Sequence, residues 1–189
     1  SHFQQVQIIT GISFSIPDTI EEFYHFLVFS TIVGESMSSR LFQSIREQKG
    51  LCYSVQAMRT FFSSTALWCV YANTSPALLN RLLQALNSEF RRLFDVPPDE
   101  TELRDAVSHL SGGLTLSLED MEVRMKRMVR HYLLGGEIHS ADMSIRLLEA
   151  ITVHDINDVI EKHIQSSNLN LLVFGTRNLD KRKRTSITF

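Results

Sequence analysis

"SSRLFQSIREQKGLCYSV", residues 38–55, decides how the rest of the chain is read. Leu41, Phe42 and Ile45 recur at helical spacing behind Ser38 and Ser39, either of which can cap a helix start. Gly50 stands where a left-handed residue closes a helix. From Tyr53 the chain turns to β-branched and aromatic residues, the content of a strand. Arg46 and Tyr53 therefore flank a sharp helix-to-strand corner. Such a corner can bring a guanidinium and a phenol to one rim, and their donors suit a peptide carbonyl or developing oxyanion charge. On spacing alone, a solvated arginine beside Glu47 and a half-buried tyrosine edge are the better reading.

Upstream, "FQQVQIITGISF" (residues 3–14) reads as a strand, stopped by Pro17 and Asp18. Asp18 with Glu21 has the form of a capping box, opening a helix from Thr19 that carries Ile20, Phe23 and Leu27 and ends at Gly34. Downstream, residues 53–60 and 65–72 form a hairpin, and Ser75–Pro76 opens a helix with Leu79, Leu82, Leu83, Leu86 and Phe90 inward. Asp99 with Glu102 caps a helix through Leu103, Ala106, Leu110 and Leu114. Helix is expected to continue through "LSLEDMEVRMKRMVRHYLLGG" to Gly135 and Gly136, with Met121, Met125, Met128 and Leu133 as its stripe. Helices around Met143–Ile151 and from Thr152 to Ile164, then a strand over 168–175, complete the order. The pattern is α+β: one mainly antiparallel sheet with helices packed mostly on one face. It forms a single domain over residues 1–175, followed by a basic tail, 176–189.

The 189 residues are 43% hydrophobic with a net charge of −2, which suits one domain with a sizeable core. Near-neutral charge argues against a nucleic-acid partner, and "DKRKRT" (180–185) reads as a solvated tail. No stretch approaches the roughly 20 apolar residues of a membrane span. The start lacks the pattern of a signal peptide and an initiator Met, so the true N-terminus is expected to be missing. Cys52 and Cys69 lack metal-ligand spacing and read as buried free thiols, with a cross-strand disulfide the alternative. A reducing compartment fits better, and a cytoplasmic location is expected. None of the histidines, among them His25, His109 and His131, forms H-E-x-x-H or H-x-x-E-H. "GESMSSR" reads as helix capping, a weak anion site being the alternative. The methionine stripe reads as core, a pliable binding face being its alternative.

Beyond the residues themselves, "MSSRLFQSIREQKGLCYSV" resembles the C-terminal half of the pitrilysin/insulinase zinc metallopeptidases, which include processing-peptidase-like proteins. "YANTSPALLNRLLQAL", "DETELRDAVSHLSGGLTLSLED", "ITVHDINDVIEKHI" and "NLNLLVFG" continue the resemblance in order, over about residues 4–175. The resemblance implies two α+β halves facing each other around a chamber. The N-terminal half holds zinc through H-x-x-E-H and a distant glutamate. The C-terminal half contributes an arginine and a tyrosine seven residues apart, matched here by Arg46 and Tyr53 as substrate-binding and transition-state donors. It further implies no cofactor in this chain, zinc in a partner half or separate subunit, a peptide substrate, and inactivity alone, with a homodimer among the arrangements. "GES" before Met37 departs from the glycine-rich loop of relatives. The alternatives are a non-catalytic scaffold or core subunit of the same fold and an unrelated α+β binding domain.

Overall fold

A computed structural model describes residues 5–164 and 169–175. Four strands, β1 (Val6–Ser15), β2 (Ser54–Phe61), β3 (Thr65–Thr74) and β4 (Asn170–Phe174), form one sheet in the order β2–β3–β1–β4, every pair antiparallel. The helices are α1 (Ile20–Ser30), α2 (Leu79–Asp95), α3 (Glu100–Ser117), α4 (Met121–Gly135), α5 (Ala141–Glu149) and α6 (Val153–His163). Two π-helical segments, Thr31–Glu35 and Phe42–Gln48, lie between α1 and β2.

Strand alternation fixes which face the helices cover. Val6, Ile8 and Ile12 of β1 and Ala66, Trp68, Val70 and Ala72 of β3 are buried, while their odd-numbered neighbours Gln7, Ile9, Ser13 and Leu67 point the other way and are exposed. Over the buried face lie Phe23, Phe26 and Phe29 of α1, Leu82, Leu86 and Phe90 of α2, and Ile156 and Ile160 of α6. Trp68 sits at the centre, with ring centroids 5.2 Å from Phe29 and 6.2 Å from Phe90. Its indole N–H donates to Ser30 Oγ at 3.0 Å, so the large ring is buried without an orphaned donor. The α+β class and the single antiparallel sheet are as the sequence indicates.

The differences are local. At α1 the cap is shifted by one residue: Thr19 Oγ1 accepts from Glu22 N–H at 3.1 Å, and the Glu22 carboxylate accepts from Asp18 N–H at 3.0 Å. Ser39 caps nothing with its hydroxyl, which donates instead to the Ser36 carbonyl at 2.6 Å. Pro76 lies in a turn closed by Leu78 N–H to Ser75 C=O at 3.1 Å, and α2 starts at Leu79. The long helix expected through residues 116–136 is broken at Leu118–Asp120, because the Asp120 carboxylate accepts from the N–H groups of Glu122 and Val123 and starts a new helix. A short acidic side chain competes for backbone donors in this way. The methionine stripe of α4 is not core: Met121 is 81% exposed and Leu133 75%. Cys52 and Cys69 are free thiols, half-buried rather than buried. Residues 3, 4 and 168 of the expected strands and the basic tail 176–189 lie outside the described residues.

Candidate functional site

The corner between the second π-helical segment and β2 is held from several sides. Lys49 N–H donates to the Ser44 carbonyl, five residues back, at 3.1 Å, and Leu51 N–H to the Ile45 carbonyl at 3.0 Å. The first bond spans one residue more than the usual helix closure and the second spans two more; wide turns of the first kind occur frequently at functional sites. Gly50 takes φ +58°, with nothing near the position a Cβ would occupy, so it serves the turn and not a close approach. Beyond it, the end of β3 fixes the backbone. Thr74 Oγ1 donates to the Leu51 carbonyl at 2.6 Å, Tyr53 N–H donates to the Asn73 carbonyl at 3.3 Å, and Ser54 N–H to Asn73 Oδ1 at 2.8 Å.

This frame presents Arg46 and Tyr53 on one rim. The Arg46 guanidinium carbon lies 5.9 Å from the Tyr53 ring centroid and 4.6 Å from that of Phe42. Both are cation–π distances. Its carboxylate neighbour, Glu47, is 3.8 Å away and half exposed, a weak partner. Tyr53 is 77% exposed. A cavity of about 430 Å³ opens beside it, walled by Gly50, Leu51, Cys52, Asn73 and Thr74. The Cys52 thiol is pushed up to about 11 by burial, against the opposing pull of Arg46, so it is no nucleophile at neutral pH.

Sequence reasoning missed the residues that hold this corner. The Ser44 hydroxyl donates to the buried Glu89 carboxylate of α2, and Lys49 Nζ donates to both, at 2.7 Å to Ser44 Oγ and 3.0 Å to Glu89 Oε1. A signal was present. Glu89 follows Leu82 and Leu86 on the inward stripe of α2, where a carboxylate needs a partner. Arg40, 7% exposed, donates to both Glu102 oxygens at 2.6 and 2.7 Å and to the carbonyls of Val96 and Pro97, joining the chain just ahead of the second π segment to the start of α3. Burial alone would raise the Glu102 carboxyl, but hydrogen bonds from Arg40 and the Asp99 N–H outweigh it and hold the group below its usual range.

Among the described residues, no group of three or more His, Cys, Asp or Glu side chains is placed to hold a metal ion. Buried His131 has both ring nitrogens engaged: Nδ1 accepts from His139 N–H at 3.2 Å and Nε2 meets Tyr24 Oη at 3.0 Å. These residues do not fit a zinc ion. What the site offers is a cation, a phenol and backbone on an open rim.

The chain is 31% identical, over 82% of its length, to an uncharacterized zinc protease of Streptomyces coelicolor, and spans about a third (34%) of that protein. Among solved structures, the peptidase M16 inactive domain from Pseudomonas fluorescens shares its fold over 92% of this chain and 41% of that one, at a TM-score of 0.78 and 19% identity. A chain of complex III2 from Candida albicans does so over 98% of this chain and 47% of that one, at 0.75 and 16%. Residues 3–110, more than half of the chain, match the family model described as the peptidase M16 inactive domain. The chain belongs to the M16, or pitrilysin/insulinase, family of zinc peptidases, as its C-terminal, non-metal half.

Proposed function

We propose that this domain is the substrate-gripping half of a zinc peptidase, in which Arg46 and Tyr53 donate to the backbone of a bound peptide. The zinc and the general base come from an H-x-x-E-H half. The observation that carries the reading is the corner itself: a braced π turn and a left-handed glycine set a guanidinium 5.9 Å from an exposed phenol ring, with no strong ion partner among the described residues taking the guanidinium away. Arg46 supplies a planar fork of N–H donors and Tyr53 an O–H donor. Both are donors aimed at carbonyl oxygen, and they gain strength as that oxygen becomes an oxyanion. Neither generates a nucleophile, so the domain by itself cleaves nothing. Unfolded or extended peptides are the substrate class.

The test is steady-state cleavage of an unstructured peptide by the chain assembled with its H-x-x-E-H half. Arg46→Ala and Tyr53→Phe each lower kcat on the order of 10²- to 10³-fold, as expected for loss of one oxyanion donor. Unchanged turnover in both variants refutes the assignment.

A scaffold role is the second reading, favoured by the likeness in fold to a chain of complex III2. It predicts that the natural partner lacks H-x-x-E-H and that both substitutions are silent.

A further inference from the structure

We infer that the outward face of α4 is the surface on which the zinc-bearing half of the peptidase packs; the inference rests on the two-half reading above. α4 is an amphipathic helix placed inside out. The side turned to the body is mainly polar, with Leu134 its apolar contact: His131 meets Tyr24 and His139, and Arg127 donates to the His139 carbonyl and to Ser144 Oγ. The side turned to solvent carries Met121, Met125, Met128, Val129, Tyr132 and Leu133, and Ile138 of the following loop continues it. A helix normally buries its apolar stripe. Here the stripe lines an open groove of about 540 Å³, with Arg124 the one charged side chain on its walls.

The size and chemistry of this face fit a permanent partner. From their exposures, these side chains leave roughly 800 Å² accessible, the share one partner gives to a standard interface. A patch of that size is larger than monomers ordinarily expose. Met and Tyr with almost no charge is the composition of an interface centre. The open face of the sheet is less suited, because exposed Ile9, Leu67 and Leu172 are interleaved there with Gln7, Ser13 and Asn170. The groove shares no residue with the cavity beside Tyr53, so an occupant of α4 leaves the peptide-gripping corner free. The length of the relatives favours a second half over a second copy. The chain spans only 34% of the Streptomyces protein it matches, so such proteins carry further chain able to cover this face.

The experiment measures binding between this chain and the separately produced H-x-x-E-H half, whether encoded upstream or as another subunit, by sedimentation velocity and titration. Met125→Glu with Leu133→Glu places two charges at exposed positions, and circular dichroism checks that the fold is kept. The expected result is tight binding by the wild type, at least 100-fold weaker binding by the double variant, and unchanged binding by Arg46→Ala. Hydrogen exchange in the unsubstituted chain, which needs no variant, slows over residues 121–138 on mixing. Equal binding by wild type and double variant, or no slowing at 121–138, overturns the placement while the two-half reading stands. Failure of the wild type to bind the H-x-x-E-H half overturns both. A homodimer of this chain that the double variant dissolves assigns the face to a second copy and overturns the inference.

Discussion

His131 makes the chain acid-sensitive by an amount the structure sets. The ring is 2% exposed. Because Nδ1 accepts from the His139 N–H, the neutral ring carries its proton on Nε2 and donates it to Tyr24 Oη. A second proton would have to enter at Nδ1, where it would face a donor. Burial is the main force against it, and the positive charges of Arg127 and Arg130 and the neighbouring His139 add to it, lowering the His131 pKa to about 4. Tyr24 offers no compensating charge, since burial raises its phenol and keeps it neutral.

The linkage follows from that depression. Above pH 6.5 the ring is neutral in folded and unfolded chains alike, and no pH dependence arises from it. Below 6.5 the unfolded chain takes up a proton that the folded chain refuses. Stability then falls by about 1.4 kcal/mol per pH unit until the folded ring titrates near 4, a total of about 3 kcal/mol. Urea unfolding at pH 7.0, 5.5 and 4.0 measures the loss. His163 is depressed in the same direction, chiefly by burial, so the comparison is with His131→Gln, which keeps every other titrating group. The variant starts lower at pH 7, having lost the fit of two hydrogen bonds, but its decline to pH 4 is about 3 kcal/mol shallower. Parallel declines in the two proteins refute the reasoning, as does an NMR titration of His131 with a midpoint near 6.5.

Arg40→Ala removes the partner of Glu102 and of two carbonyls and costs about 3 kcal/mol, the lower end for breaking a buried pair, because Glu102 keeps some solvent. Arg40→Lys recovers less than half of it, lacking the fork; urea midpoints check both. Gly11 and Gly50 separate two uses of glycine. Gly50→Ala meets open space and costs only the left-handed backbone, about 1 kcal/mol, whereas Gly11→Ala drives a Cβ to 2.6 Å from Cys69 Cβ and costs about 3 kcal/mol. The opposite ranking in thermal unfolding would contradict the assigned roles.

The architecture was legible because it is written in short-range periods. Alternation in "VQIITGISFS" and the leucine spacing of α2 each report which side of one element is apolar, and the antiparallel sheet follows from the hairpin. The corner was half legible. Gly50 and the seven-residue spacing of Arg46 and Tyr53 are local signals, but the π register is not, because its braces come from elsewhere: Ser44 and Lys49 bond Glu89, and Thr74 bonds the Leu51 carbonyl. His131 was illegible for the same reason, its partner Tyr24 being 107 residues away.

The methionine stripe is the instructive failure. Its spacing correctly marks a helix with one apolar side, and the natural inference is that this side faces the core. In the structure the side bearing His131, Arg127 and Leu134 faces the core. Periodicity reports only that an apolar face is to be covered, never by what. If α4 were covered by the described residues of this chain, the stripe and the burial would agree. They disagree at Met121, Met125, Tyr132 and Leu133 together, and on the opposite side His131 is hydrogen-bonded to Tyr24 and Arg127 to Ser144, so the helix is not simply rotated out of place. A helix locked by specific hydrogen bonds with its apolar side outward is what remains when one half of a larger hydrophobic contact is viewed without the other.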